Sequence, residues 1–148
     1  MIMKKLILTL MMIIGISAMA SARDKYSHDV NTLPAAAQTT LQKEFKAGVS
    51  LIKTDKEFGR VSEYEVILTD GTEITFDRDG NWKNVETAKN KSVPKAFVIN
   101  AIHKYVAANQ PNTHITGIEK ERNGYEVELS NGIDMKFDRQ GAFVKYDH

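Results

Sequence analysis

The sequence predicts an α+β protein of two tandem helix-plus-four-stranded antiparallel units (α-β-β-β-β repeated), with the helices packed on one face of the sheet. Two observations predict it: an internal repeat, and within each copy a change of hydrophobic period from about four residues to two. Residues 64–82, YEVILTDGTEITFDRDGNW, align with residues 125–143, YEVELSNGIDMKFDRQGAF, and nine of the nineteen positions are identical. With one residue of slippage the match extends upstream, TLPAAAQTTLQKEF at 32–45 lying over SVPKAFVINAIHKY at 92–105. The expected organisation is a first repeat over 23–90 and a second over 91–148, the two forming one domain.

Residues 1–22 read as a secretory signal peptide. Lys4 and Lys5 precede an apolar run from Leu6 to Ile16, and the small residues Ser17 to Ala22 follow. Cleavage after Ala20 or after Ala22 fits equally well. The run is short for a bilayer, which asks for about 20 apolar residues, so stable membrane insertion after cleavage is not expected. The expected location is periplasmic or secreted.

The chain has no cysteine, which excludes a lipid-modified cysteine, a disulfide scaffold, a thiol nucleophile and a thiolate metal site. Loss of the signal leaves about 126 residues, enough for one hydrophobic core. It also removes two lysines from 20 basic residues, which then face 19 acidic ones. So balanced a chain lacks the positive charge that nucleic-acid binding requires.

Each copy opens on a helix. Leu33, Ala37, Leu41 and Phe45 make an apolar stripe behind Pro34, with Thr32 as the expected cap and Gly48 as the stop. In the second copy Ser92 is the expected cap, Pro94 stands early, and Phe97, Ala101, Ile102 and Tyr105 form the stripe. Strands are expected at 49–54, 61–68, 72–77 and 81–86, then at 113–121, 124–129, 133–138 and 142–146.

Turn chemistry sets the register of these strands. A two-residue turn at Asp70-Gly71 would put Leu68 opposite Glu73. A three-residue loop, Thr69-Asp70-Gly71 with Gly71 left-handed, instead pairs Val66 with Ile74 and Tyr64 with Phe76. The loop Ser130-Asn131-Gly132 likewise pairs Val127 with Met135 and Tyr125 with Phe137. The loops Arg78-Asp79-Gly80 and Arg139-Gln140-Gly141 then pair Phe76 with Trp82 and Phe137 with Phe143. Asp77 and Asp138 open these turns, where a carboxylate accepts nearby backbone N–H groups.

The pattern YEV-x-L-x-(D/N)-G-x-(E/D)-(I/M)-x-FD-x-x-G-x-(W/F), in tandem behind Leu/Val-Pro helices, resembles the beta-lactamase-inhibitor-like, PepSY-like family of bacterial extracytoplasmic proteins. The resemblance covers nearly the whole mature chain and implies the fold of the beta-lactamase inhibitor protein. It also implies a role: PepSY-type domains are associated with restraining peptidases, and the inhibitor protein binds its target through the exposed face of its sheet. The motif residues themselves are turn and core residues.

Chemistry-bearing constellations are scarce. Thr75, Asp77, Asp79, Gly80 and Glu86 can be laid on a calcium loop, but Thr75 replaces the first carboxylate and the flanks read as strands. Its twin has Gln140 in place of Asp79, so a structural turn is the expected reading. His28, His103, His114 and His148 show no metal-ligand spacing. No serine elbow, phosphate loop or dinucleotide fingerprint is present, and alternating pairs such as Glu63/Glu65 and Glu126/Glu128 read as a solvated strand face. The expectation is therefore no enzyme, no cofactor and no metal.

The face left open by the helices is the candidate binding surface, expected to carry Glu63, Glu65, Ile67, Glu73, Glu126, Glu128, Lys136, Val144 and Tyr146. Thr75, Lys83, Val85 and Asp134 are expected beside them. Apolar anchors among charges suit a small interface, although a merely hydrated face is the ordinary state of an antiparallel sheet. The expected partner is an extracytoplasmic protein or peptide. The alternative is a small ligand or cell-envelope component on the same face.

Overall fold

The computed structural model describes residues 25–147. The signal-peptide reading of residues 1–22 and His148 lie outside them. The elements in order are β1 (Lys25–Ser27), a 3-10 turn (Val30–Thr32), α1 (Ala35–Glu44), β2 (Val49–Glu57), β3 (Arg60–Leu68), β4 (Glu73–Asp77) and β5 (Trp82–Glu86). A second 3-10 turn (Lys95–Phe97) follows, then α2 (Asn100–Asn109), β6 (Ile115–Glu121), β7 (Gly124–Leu129), β8 (Asp134–Asp138) and β9 (Phe143–Asp147).

The strands form one nine-stranded sheet in sequence order, β1 to β9. This corrects the expected fold class: instead of two helix-plus-four-strand units, the described residues build a single long antiparallel sheet and two α-helices. Two pairings make the difference. β1, too short to show a period in sequence, pairs Lys25 with Thr54 and Ser27 with Ile52 on β2. The end of β5 pairs Asn84, Val85 and Glu86 with Glu119, Ile118 and Gly117 of β6, which removes two strand edges.

Packing divides the described residues into two compact units that meet between Lys83 and Asn84, inside β5. In the first, Leu33, Ala37 and Leu41 are buried together with Ile52, Val66, Leu68, Ile74 and Phe76. The register of β3 and β4 is the one the three-residue loop demands, Val66 opposite Ile74 and Tyr64 opposite Phe76. Gly71 has φ +89°, and its N–H donates to the Leu68 carbonyl at 3.0 Å.

In the second unit Ile102 and Val106 of α2 are buried with Ile118, Val127, Leu129, Met135 and Phe137. β7 and β8 pair Val127 with Met135 and Tyr125 with Phe137, again as the loop chemistry requires. Tyr105 of α2 stacks on Phe143 at 4.7 Å between ring centroids and meets Phe137 edge-on at 5.7 Å. These ring contacts locate the helix on the side of the sheet that carries Phe137.

The helix starts differ from expectation. Pro34 itself is the cap of α1, and Thr32 closes the 3-10 turn that Asp29 caps by accepting the Asn31 N–H. Pro94 caps the 3-10 turn Lys95–Phe97, and α2 begins only after Ile99. Proline pre-sets a backbone angle suited to a helical start, and neither Pro34 nor Pro94 supplies a side-chain cap hydrogen bond.

Candidate functional site

The DRDG-type stretch is a turn held by its aspartate. Asp77 Oδ1 accepts the backbone N–H groups of Asp79 and Asn81, both at 2.9 Å, and Gly80 takes φ +91°. Burial works against ionisation here, but the N–H donors of Asn81 and Asp79 outweigh it and hold the Asp77 carboxyl below its usual value. Asp138 does the same work in the other unit, accepting from Gln140 at 3.0 Å and Ala142 at 2.8 Å. Glu86, the last position of the calcium pattern, lies at the far end of β5 opposite Gly117. The arrangement is that of a hairpin loop.

The glycines of these two loops also seat the helices. A Cβ on Gly80 would come within 2.9 Å of the Ala37 backbone nitrogen and of Pro34 Cβ. One on Gly141 would meet Ile99 Cδ1 at 2.6 Å and Ala101 Cβ at 2.9 Å.

Two imidazoles hold backbone carbonyls: His28 Nδ1 lies 2.6 Å from the Ser50 oxygen and His114 Nε2 lies 2.7 Å from that of Lys89. Burial, and secondarily the charge of Lys95, hold His103 below its ordinary value.

The side of the sheet away from the buried apolar rows collects carboxylates. In the first unit, cross-strand rows run Lys53–Glu65–Thr75 and Asp55–Glu63–Asp77. The carboxylates of Asp55, Glu63 and Glu65 lie within 4.8 Å of one another. Lys53 Nζ sits among them, 3.0 Å from Asp55 and 3.3 Å from Glu65. Burial, and then the neighbouring Asp55, push Glu65 up to about 8 against the opposing pull of Lys53. Burial acting alone would depress the Lys53 ammonium, yet Asp55 and Glu65 hold it well above its ordinary value. Ile67 and Glu73 pair with each other further along, and burial pushes Glu73 up to about 7. Lys83, half-exposed, reaches Glu63 at 3.7 Å.

In the second unit the row Asn84–Glu119–Glu126–Lys136–Lys145 lies beside the row Glu86–Gly117–Glu128–Asp134–Asp147. Glu119, Glu121 and Glu126 bring their carboxylates within 4.8 Å of one another. Lys136 Nζ is 3.4 Å from Glu121, and the charges of Glu121 and Glu126 raise it despite burial. Burial, reinforced by a hydrogen bond with Asp147, pushes Glu126 up to about 7. The same hydrogen bond holds Asp147 below its ordinary value.

The structure thus brings Glu63, Glu65 and Glu73 to one side of the first unit, and Glu126, Glu128 and Lys136 to one side of the second. Glu126 is only 1% exposed, and Glu73 and Glu128 are also buried, where the sequence led us to expect an exposed face.

Tyr146 is placed on the other side. β8 and β9 pair Phe137 with Phe143 but Lys136 with Lys145, so Val144 falls in the irregularity and the alternation shifts by one residue. Tyr146 then stands opposite Met135, with its ring 5.0 Å from Phe143 and its hydroxyl accepting the Gln110 Nε2–H at 3.2 Å. Val85, too, is fully buried opposite Ile118. Lys53, Asp55, Glu119 and Glu121 were missed in sequence, although Lys53-x-Asp55 and Glu119-x-Glu121 carry the alternation that could have placed them.

Among the described residues, strands that follow one another in a single antiparallel sheet, two short helices and carboxylate clusters on the side away from the core define the class: a sheet-scaffold protein with a charged sheet face. The chain belongs to the family described as "Putative beta-lactamase-inhibitor-like, PepSY-like", whose model matches residues 62–145. Among solved structures it is similar to a "putative periplasmic protein of unknown function" from Bacteroides vulgatus, with 39% identity, TM-score 0.79, and coverage of 84% of this chain and 99% of that one. It is also similar to a "putative calcium-regulated periplasmic protein" from Bacteroides thetaiotaomicron, with 37% identity, TM-score 0.77, and coverage of 84% and 97%. A second "putative periplasmic protein" from Bacteroides vulgatus is 38% identical, with TM-score 0.76 and coverage of 87% and 100%. No curated protein matches the chain. No helix among the described residues is long and apolar enough to cross a membrane.

Proposed function

We propose that this chain is an exported, non-enzymatic binding module that takes a basic protein or peptide segment on the carboxylate-bearing side of its sheet, in the manner of an inhibitor or restraint. The observation that carries the reading is the crowding of Asp55, Glu63 and Glu65, and of Glu119, Glu121 and Glu126, each set within 4.8 Å. Like charges so close disfavour one another's ionisation, and a cation from outside relieves them. Lys53 and Lys136 are the built-in cations, and a guanidinium or ammonium of a partner adds to them by charge-assisted hydrogen bonds. The signal-like residues 1–22 and the periplasmic description of the similar structures support export.

The test is fluorescence anisotropy with matched lysine-rich and glutamate-rich peptides. The basic peptide is expected to bind with a steep salt dependence and to lose at least fivefold in affinity on Glu65→Gln or Glu126→Gln. Equal binding of both peptides, or indifference to both substitutions, would overturn the reading. Peptidase and beta-lactamase assays with the purified chain then test whether binding restrains an enzyme.

One comparison favours a second reading, that calcium is the cation these clusters answer to, because a structure 37% identical is described as calcium-regulated. Carboxylate oxygens are the ligands a hard divalent ion takes. Calorimetric titration with calcium chloride checks it: saturable heat lost on Glu121→Gln supports the reading, and no heat at millimolar calcium sinks it.

A further inference from the structure

β9 is the last strand of the sheet, and among the described residues no strand pairs with its outer edge. Of the three large apolar side chains exposed among the described residues, two lie on it, Val144 at 58% and Tyr146 at 38%. A free edge offers a row of backbone donors and acceptors to any extended chain, and proteins usually blunt it with charge, proline or shortness. β9 has five residues, no proline and one cationic residue, Lys145, at its middle.

The chain itself displays what such an edge accepts. β5 follows the loop closed by Asp77, and β9 follows the loop closed by Asp138 with the same pair of hydrogen bonds. Counted from the loop glycines Gly80 and Gly141, Asn84, Val85 and Glu86 correspond to Lys145, Tyr146 and Asp147. The first three carry β6 on their outer side, with Glu119 opposite Asn84, Ile118 opposite Val85 and Gly117 opposite Glu86. Val85 is thereby fully buried, whereas Tyr146 in the corresponding place is not.

We propose that β9 is a docking edge for an extended segment of another protein, which adds to it antiparallel as a tenth strand. The segment carries an acidic residue opposite Lys145, a branched aliphatic residue opposite Tyr146 and a small residue opposite Asp147. Backbone hydrogen bonds supply affinity in this mode, and the alternate side chains supply specificity. Tyr146 is held ready, its hydroxyl taken by Gln110 and its ring against Phe143, so little ordering is left to be done on binding. The acidic preference follows from Lys145, whose neighbour across the ladder is another lysine, Lys136. The edge adjoins the second unit's charged rows, which end on Lys145 and Asp147, and the contact it offers is the β9 backbone rather than the carboxylate clusters.

The probe is a synthetic peptide copying residues 113–121, THITGIEKE, the segment that covers the corresponding edge of β5. Titrated into the purified 15N-labelled chain, it is expected to give saturable shifts on Val144–Asp147 and to slow amide exchange there. Lys145→Glu is expected to weaken the complex at least fivefold, and a peptide with lysine in place of its first glutamate is expected to restore binding to that variant. Phe58→Asn, which removes the exposed apolar side chain that lies outside β9, is expected to leave the peptide affinity unchanged, which ties binding to the edge rather than to any exposed apolar residue. Absence of saturable shifts, shifts on Asp55, Glu63 and Glu65 instead of β9, or no rescue by the charge swap would overturn the proposal. So would a concentration-dependent dimer, seen by sedimentation without peptide and lost on Lys145→Glu, which would make a second copy the occupant.

Discussion

The carboxylate of Asp77 accepts the backbone N–H of Asn81 at 2.9 Å across a three-residue loop. One side-chain oxygen thereby holds both ends of the turn that joins β4 to β5. Asp77→Ala is expected to destabilise the protein by about 1–2 kcal/mol, and Asp77→Asn by less, because an amide oxygen still accepts. The folded-state value of Asp77 lies below the unfolded one, so its contribution is present above the ordinary carboxylate range and disappears as the pH falls through the lowered value. Urea denaturation of wild type and Asp77→Ala at pH 7 and near pH 2 checks this; a stability gap equally large at both would count against it.

Gly71 and Gly80 share a left-handed backbone, with φ +89° and +91°, but differ in surroundings. A Cβ on Gly71 meets nothing within 4 Å, whereas one on Gly80 strikes Pro34 and Ala37 at the start of α1. Gly71→Ala is therefore expected to cost about 1 kcal/mol from backbone strain alone. Gly80→Ala pays the same strain and displaces the helix start besides, for about 2–4 kcal/mol in all. Paired denaturation curves decide, and equal costs would refute the seating role of Gly80.

Phe58 stands at the tip of the β2–β3 hairpin, fully exposed, with φ +52° beside Gly59 at φ +77°. Two positive φ angles in a two-residue connection are what a type I′ turn requires, and asparagine tolerates the first position far better than phenylalanine. Phe58→Asn is expected to stabilise the fold by about 0.5–1 kcal/mol, which thermal unfolding would register as a higher midpoint.

Glu65 keeps its proton more tightly when folded than when unfolded, its value being pushed up to about 8. A raised carboxyl contributes stability that is complete below its unfolded value and is lost as the pH rises through the folded one. Wild-type stability should fall between about pH 5 and pH 8 for this reason, and Glu65→Gln should flatten that slope. Identical pH profiles for the two proteins would show that Glu65 titrates normally.

Much of the strand layout was readable from local chemistry. The loops Thr69-Asp70-Gly71 and Ser130-Asn131-Gly132 bound β4 and β8 and dictate their registers, because a left-handed glycine and the alternation of apolar residues admit one pairing. Asp77, Asp138 and the glycines after them announced their turns in the same way. The family, too, was legible in the repeated turn and core residues, since these sit at positions that the backbone constrains.

What the tertiary structure alone decided depends on residues far apart in the chain or on a shift of a single position. β1 is three residues long and has no pattern of its own; only β2 gives it a partner. Asn84–Glu86 carry no mark that they will pair with Gly117–Glu119, yet that ladder turns two expected units into one sheet. The irregularity at Val144 moves Tyr146 across the sheet, since strand alternation has a period of two and one extra residue inverts it. The carboxylate clusters likewise exist only once β2 lies against β3 and β6 against β7. Sequence by itself determined the turns, the registers they impose and the family, because those rest on local backbone geometry. The joining of the strands and the company each carboxylate keeps came from long-range pairing, which no local pattern encodes.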